Sequence, residues 1–423
     1  MTLSKTLPLT KGKSGSFWLL LSGLVLSSAG TSMVWPFLMT YAKTQLNLPM
    51  VIVASLMTIN SITGFLGSII AGPQLDLRGR KWIMVVGLLG TALAYLGYIG
   101  ANTYLHFAII MGLTGFFGPL YRVGSAAMIT DWFDAEHRPQ AFAYYRTAGN
   151  LGFALGPAIG GRLLMVSYNY GMIAAFITLG IFGLITIFLI PESLPKEGRS
   201  SSQTIRAQFK DYVDSFRDKR FSQILTAYTL QEIAARVVWV LLATYMSITL
   251  GFPKSYYGWI AMTNGLMIVF LQLLVTQQTR KYPEIKVLPV GAAVYAVALL
   301  VYGLVQTIYG FVLAMAIMTV GEMINAPTAT TYVSNIAPAT KRGQYLSVFN
   351  LTWYFALALG PVGGGYLADK ISPQAPFFGG SLMALLSVFV FIYIGFAWRR
   401  ESGKTQPPSS AEASAASDGP VKL

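Results

Sequence analysis

Twelve apolar runs of about twenty residues, joined by short polar links, fill this chain between residues 17 and 398. Twenty residues is the length a helix needs to cross the hydrocarbon layer of a bilayer, where only fully hydrogen-bonded backbones are tolerated. The runs fall at 17–40, 49–72, 82–100, 105–130, 140–165 and 170–190, then at 221–249, 255–277, 287–306, 309–334, 344–367 and 376–398. The pattern predicts an all-α membrane protein of twelve transmembrane helices. Composition agrees: 54% of the 423 residues are hydrophobic, only 11% are charged, and mean hydropathy is +0.57. Residues 1–16 read as a polar tail, and the run after them is too long for a cleavable leader, so an uncleaved first span is expected.

The links fix an expected orientation. With residue 1 on the cytoplasmic side, cytoplasmic segments hold 23 Lys and Arg, outside segments hold four (Lys43, Arg162, Lys254, Lys370), and three arginines lie within spans. Basic residues concentrate on the cytoplasmic face of membrane proteins, so both termini are expected inside a cell membrane. The net charge of +14 follows from the same bias and calls for no nucleic acid. The chain has no cysteine and only two histidines, His106 and His137, which excludes thiolate chemistry and a histidine metal cluster. Lys11-Gly12-Lys13-Ser14 lacks the upstream glycine of a phosphate-cradling loop, so an ATP-driven pump is disfavoured and no cofactor is expected. Neither paired acids nor histidine-rich clusters converge as an enzyme would require.

One stretch occurs twice. Gly152, Gly156, Pro157, Gly160 and Gly161 stand in one apolar run, and Gly360, Pro361, Gly364 and Gly365 stand in another, with 156, 157, 160 and 161 each recurring 204 residues later. The same offset pairs Trp35 with Trp239, Tyr41 with Tyr245, Pro49 with Pro253, Asn60 with Asn264, Gly87 with Gly291, Tyr98 with Tyr302 and Arg138 with Arg342. Two halves of six spans therefore align in parallel, about an axis along the membrane normal, with a site expected at mid-depth between them. Glycines four apart share one helix face and admit a neighbouring backbone, while the proline bends the helix. A packing seam needs only the small residues; seam plus bend, in both halves, suggests a moving part.

The organisation is thus a tail (1–16), a six-helix bundle (17–190), a link (191–220), a second bundle (221–398) and a polar Ser/Ala/Pro-rich tail (399–423) expected to be disordered. In the link, Ile205, Phe209, Val213 and Phe216 form an apolar stripe beside Lys210, Arg217, Lys219 and Arg220, which predicts a basic amphipathic helix on the membrane surface.

At this point the sequence resembles the major facilitator superfamily over residues 17–398. The loop Gly72-Pro73-Gln74-Leu75-Asp76-Leu77-Arg78-Gly79-Arg80-Lys81 is similar to the family's motif A, with Leu77 where a basic residue is usual. The resemblance implies a gating latch of Gly72, Asp76, Gly79, Arg80 and Asp131: Asp76 facing the N-terminus of another helix, and Arg80 reaching Asp131. The matching loop of the second half, 276–285, keeps Arg280 and Lys281 but neither the acid nor the glycines, so the latch is expected in the first half alone. The doubled glycine stretch resembles motif C, which marks drug:proton antiporters of the family. One departure stands out: Met111-Gly112-Leu113-Thr114-Gly115 occupies the place where such exporters carry an arginine in span four.

Other ionisable groups inside spans are therefore candidates for proton coupling, because each is costly there. They are Glu322, Glu232, Arg122, Arg236 and Arg146. Glu232 and Arg236 are four apart and suit a self-neutralising pair as well as a functional one. Glu322 has no partner in its own span, and is either a proton carrier or the mate of an arginine on another helix. Cavity walls are expected from Trp35, Asn60, Tyr121, Asn150, Trp239, Asn264, Trp353 and Tyr354, whose aromatic rings and amides suit moderately apolar solutes. The resemblance implies a monomeric secondary transporter exporting small organic molecules or drugs in exchange for protons, with the glycine-rich spans five and eleven rocking past each other. A sugar or metabolite transporter of the same fold, or a flippase of a charged lipid, are the alternatives.

Overall fold

A computed structural model describes residues 14–134, 136–194, 214–338 and 341–404, which are almost wholly helical and contain no strand. The first half holds α1 (Ser14–Val34, a 3-10 turn Trp35–Phe37, then Leu38–Leu46), α2 (Met50–Arg78), α3 (Arg80–Gly97), α4 (Tyr104–Trp132), α5 (Arg138–Val166) and α6 (Tyr168–Leu189). The second holds α7 (Lys219–Thr244, running into a π turn Tyr245–Thr249), α8 (Lys254–Thr279), α9 (Glu284–Leu304), α10 (Ile308–Ile336), α11 (Arg342–Lys370) and α12 (Ala375–Lys404). Eleven of these are long and apolar enough to cross a membrane. The remaining one, α5, is 29 residues long and is diluted by Arg146, Asn150 and its glycines. The stripe residues Ile205, Phe209 and Val213 lie outside the described residues, whereas Phe216 is exposed in a turn just before α7.

Local rules explain the ends. Ser167, Asp218 and Thr307 cap α6, α7 and α10 with side-chain oxygens on otherwise unpartnered amides. Gly79 adopts φ +97° between α2 and α3, a conformation that permits the abrupt turn. The buried Pro36 of the 3-10 turn interrupts α1 near the far end, opposite the end that carries the basic links.

The two halves meet through two helix pairs that correspond under the repeat. The C-terminal part of α5 packs on α8, and that of α11 packs on α2. A β-carbon on Gly161 would lie 2.9 Å from the Lys254 carbonyl, and one on Gly365 would lie 2.9 Å from the Met50 carbonyl. These contacts are the same contact displaced by the offset of 204. The pseudo-twofold axis itself passes between Thr40 and Thr244, whose hydroxyls are hydrogen-bonded at 3.0 Å although 204 residues apart. All of these contacts lie at the far end, while the cavity between the halves continues past Gly72 and Ser347 towards the basic end.

Candidate functional site

The cavity has two adjoining lobes, of about 420 and 450 Å³, which share Trp35, Arg146, Asn150, Phe153 and Trp353. The second-half lobe contains both intramembrane glutamates. Glu232 and Arg236 form a buried ion pair at 2.7 Å on successive turns of α7. Glu322 on α10 is held differently: its Oε2 accepts from Asn264 Nδ2 at 2.9 Å, and the same amide donates to Thr319 at 3.0 Å. Among the described residues Glu322 has no ion pair: Arg146 and Arg236 line the same lobe, but neither is in contact with it as the mate considered from sequence. A carboxylate held only by a neutral amide can change its charge without stranding a partner cation.

The first-half lobe contains Arg122 and no acid. Arg122 reaches the Tyr354 hydroxyl at 3.5 Å, the outer limit of a hydrogen bond, and stands 5.9 Å from the Trp353 ring. Arg236 faces the same ring at 5.6 Å, so one indole of α11 lies against an arginine from each half. Arg146 is exposed to the cavity and makes neither a hydrogen bond nor an ion pair among the described residues. Asn60, the counterpart of Asn264, donates to the Met111 carbonyl at 3.0 Å and to Thr114 at 3.2 Å. Tyr354 ties α11 to the first half through Ser68 (2.7 Å) and through its own carbonyl, which accepts from Ser61.

Seven of the eight wall candidates therefore line the lobes, and Tyr121 does not: it is buried within the first bundle. Residues the sequence reading passed over complete the walls. Phe153, inside the glycine stretch, meets Trp239 edge-on at 5.5 Å across the halves, and Tyr228, Gln231 and Tyr295 surround the glutamates.

The glycine face of α5 is sheathed by α1. Added β-carbons would lie 2.4 Å from the Val25 carbonyl at Gly152, 2.5 Å from the Ala29 carbonyl at Gly156 and 2.2 Å from the Met33 carbonyl at Gly160. Pro157 and Gly161 face α8 instead. This corrects one expectation: α5 and α11 do not slide on each other, because each packs on a helix of its own half (α1, α7) and on one of the other half (α8, α2). Contact between the halves runs along α5–α8 and α11–α2 instead.

At the basic end Arg80 donates to Asp131 at 3.1 Å, pairs with Asp76 at 2.9 Å and donates to the Leu75 carbonyl at 2.8 Å. Asp76 is half-exposed and, among the described residues, is paired with Arg80 rather than with the terminus of another helix. Gly72 lines the cavity mouth. Sequence reading missed Glu192, which follows α6. Its carboxylate caps α3 by accepting from the Arg80 and Lys81 amides (2.9 and 3.2 Å), and Ser193 donates to Asp131 at 2.8 Å. A β-carbon on Gly79 would lie 2.3 Å from that carboxylate, a second reason for glycine there.

A family model described as Major Facilitator Superfamily matches residues 20–230 and 224–421. The chain belongs to the Major Facilitator Superfamily. It is a multi-pass membrane transporter of small molecules, not an enzyme. Within the superfamily it is 24% identical to a Na(+), Li(+), K(+)/H(+) antiporter of Planococcus maritimus, over 86% of this chain and 91% of that one. It is 26% identical to Multidrug resistance protein 1 of Bacillus subtilis (strain 168), over 92% and 97%. Among solved folds it is similar to a mutant of the nucleoside transporter NupG (TM-score 0.76, 14% identity, 90% of this chain and 99% of that one). It is also similar to the human organic anion transporter MFSD10, TETRAN (TM-score 0.66, 18% identity, 90% and 100%).

Proposed function

We propose that this transporter exports small organic solutes or drugs by alternating access, in exchange for protons. The observation that carries the reading is Glu322: a carboxylate facing the central cavity, bonded to the Asn264 amide and free of any ion pair among the described residues. The motif C stretch and the multidrug-resistance relative support export. With the basic links cytoplasmic, the cavity faces inward and the α5–α8 and α11–α2 contacts seal the outside. Solute enters between the lobes, the outer contacts part, and solute leaves. A proton taken up by Glu322 from outside then favours the return. Glu232 is a weaker carrier, since its proton must compete with Arg236 at 2.7 Å. Coupling needs a carboxylate whose proton affinity differs between the two states.

Inside-out vesicles test the reading. An imposed interior-acid gradient should drive uptake of a panel of cationic and neutral drugs, and a protonophore should abolish it. Uptake indifferent to the protonophore would refute proton exchange.

A second reading has its own observation. Arg122 and Arg146 face the first-half lobe without an ion pair among the described residues, a setting for an anionic solute or a lipid headgroup. Its coupling has the opposite sign. A proton on Glu322 and an anion on the arginines favour each other's binding, so they travel together. Co-movement of protons with an organic anion would favour this reading over exchange.

A further inference from the structure

The far end contains two bonds between the halves that belong to no motif. Asp369, one residue before the end of α11, directs its carboxylate at the start of α2: Oδ1 accepts from the Met50 amide at 2.9 Å and Oδ2 from the Val51 amide at 2.8 Å. Lys254, the first residue of α8, directs its ammonium at the end of α5. Its Nζ donates to the Leu164 carbonyl at 3.0 Å and lies 3.9 Å from the centre of the Tyr168 ring.

The physics of the two is complementary. The first amides of a helix and its last carbonyls have no intrahelical partner, and the helix presents partial positive charge at the first and partial negative charge at the second. An acid on the one and a cation on the other are the favourable combinations. The repeat sharpens the point. Residue 254 corresponds to residue 50, yet Met50 is apolar, and residue 369 corresponds to residue 165, which is an exposed methionine. Each of the two equivalent helix pairs thus closes with one charged cap, of opposite sign and on the opposite helix end. Packing alone does not require either: Gly161 and Gly365 already give both pairs backbone contact.

We propose that Asp369 and Lys254 form a clamp of the transport cycle that holds the far end shut, and that they set how often it opens. Both bonds cross between the halves, so both break when the cavity opens at that end. The freed amides of Met50 and Val51 then fall to water. Removing a cap of this kind shifts the closed-to-open ratio by about tenfold. Lys254 contributes less, because it satisfies one carbonyl where Asp369 satisfies two amides. The clamp is independent of substrate and of proton exchange.

The absence of cysteine makes the test direct. Spin labels at Asn102→Cys and Gln306→Cys, both exposed in far-end links and equivalent under the repeat, report the opening as an electron-spin distance distribution in lipid nanodiscs, without substrate or gradient. The unaltered clamp should give mainly the short distance. Asp369→Ala should raise the long-to-short ratio about tenfold, Lys254→Met about threefold, and Asp369→Glu should restore much of the closed population. Lys370→Ala, beside the clamp but outside it, should change nothing. A distribution unmoved by both Asp369→Ala and Lys254→Met, or moved as much by Lys370→Ala, would overturn the proposal. Because no transport is measured, failure of the proton-exchange reading leaves this result standing, and the reverse holds too.

Discussion

The two halves of this transporter share a backbone and divide the chemistry. In the first half Arg80 and Asp131 join α3 to the end of α4 by a charged bond at 3.1 Å. At the corresponding positions of the second half, Glu284 accepts from the Asn335 amide at 3.0 Å. The position is conserved by geometry, while the charge is not. In the cavity the asymmetry runs the other way. Asn60 and Asn264 correspond, but the residue facing Asn264 is Glu322, whereas residue 118, its counterpart in the first half, is glycine. Ser28 and Ser32 stand where the second half has Glu232 and Arg236. Duplication supplies two bundles related by an axis that passes between Thr40 and Thr244. Divergence gives the Arg80–Asp131 ion pair to one bundle and the intramembrane carboxylates to the other.

Paired substitutions in the two halves should test that division. The largest contrast lies in the glycine stretches. Gly156→Leu forces atoms into the Ala29 carbonyl and the Ser32 side chain, and should reduce transport roughly a hundredfold while the protein still inserts. Gly363→Leu, in the second copy but off the position of Gly156's counterpart Gly360, has open space around its β-carbon and should stay within about twofold. Uptake in inside-out vesicles, normalised to protein present, compares the two. Equal losses would mean that the stretches act by composition and not by close approach.

The locks come next. Arg80→Ala leaves the largely buried Asp131 and the half-exposed Asp76 without their cation, and should destabilise the protein by about 3 kcal/mol in thermal unfolding. Glu284→Ala removes one bond with an exposed neutral donor and should cost about 1 kcal/mol or less. A larger effect at Glu284 would show that the second half, not the first, holds the stronger of the two bonds.

The smallest contrast is at the axis. Thr40→Val and Thr244→Val should each cost about 1 kcal/mol. The double variant should cost no more than the worse single one, since all three delete the same hydrogen bond. Additive losses in the unfolding measurement would show that the hydroxyls act separately.

Much of the fold was legible because bilayer crossing imposes length and hydropathy residue by residue, and because an ungapped offset aligns the halves without reference to three dimensions. The site was legible only in kind. Intramembrane Glu322 and Glu232 announce themselves by their cost, but that Asn264 and not an arginine holds Glu322 depends on how α8 faces α10. Tyr121 shows the limit from the other side: its place on α4 suits a wall, yet its face turns into the bundle. Glu192, Asp369 and Lys254 left no signal, because a single charge at a helix end reads as solvated until the helix terminus it caps comes into view. The glycine stretch was visible as a seam, but its partner, α1, was not, since spacing along one helix does not name the neighbour.

In the function proposed for this transporter, the second half's unpaired carboxylate couples solute to protons. Purified protein in liposomes with an internal pH dye tests it most directly, recording proton movement as cationic and neutral drugs are added to wild type, Glu322→Gln and Glu232→Gln. Solute-evoked proton movement is expected in wild type, with its loss in Glu322→Gln and partial retention in Glu232→Gln. Full proton movement in Glu322→Gln, or solute equilibration without protons in wild type, would contradict it.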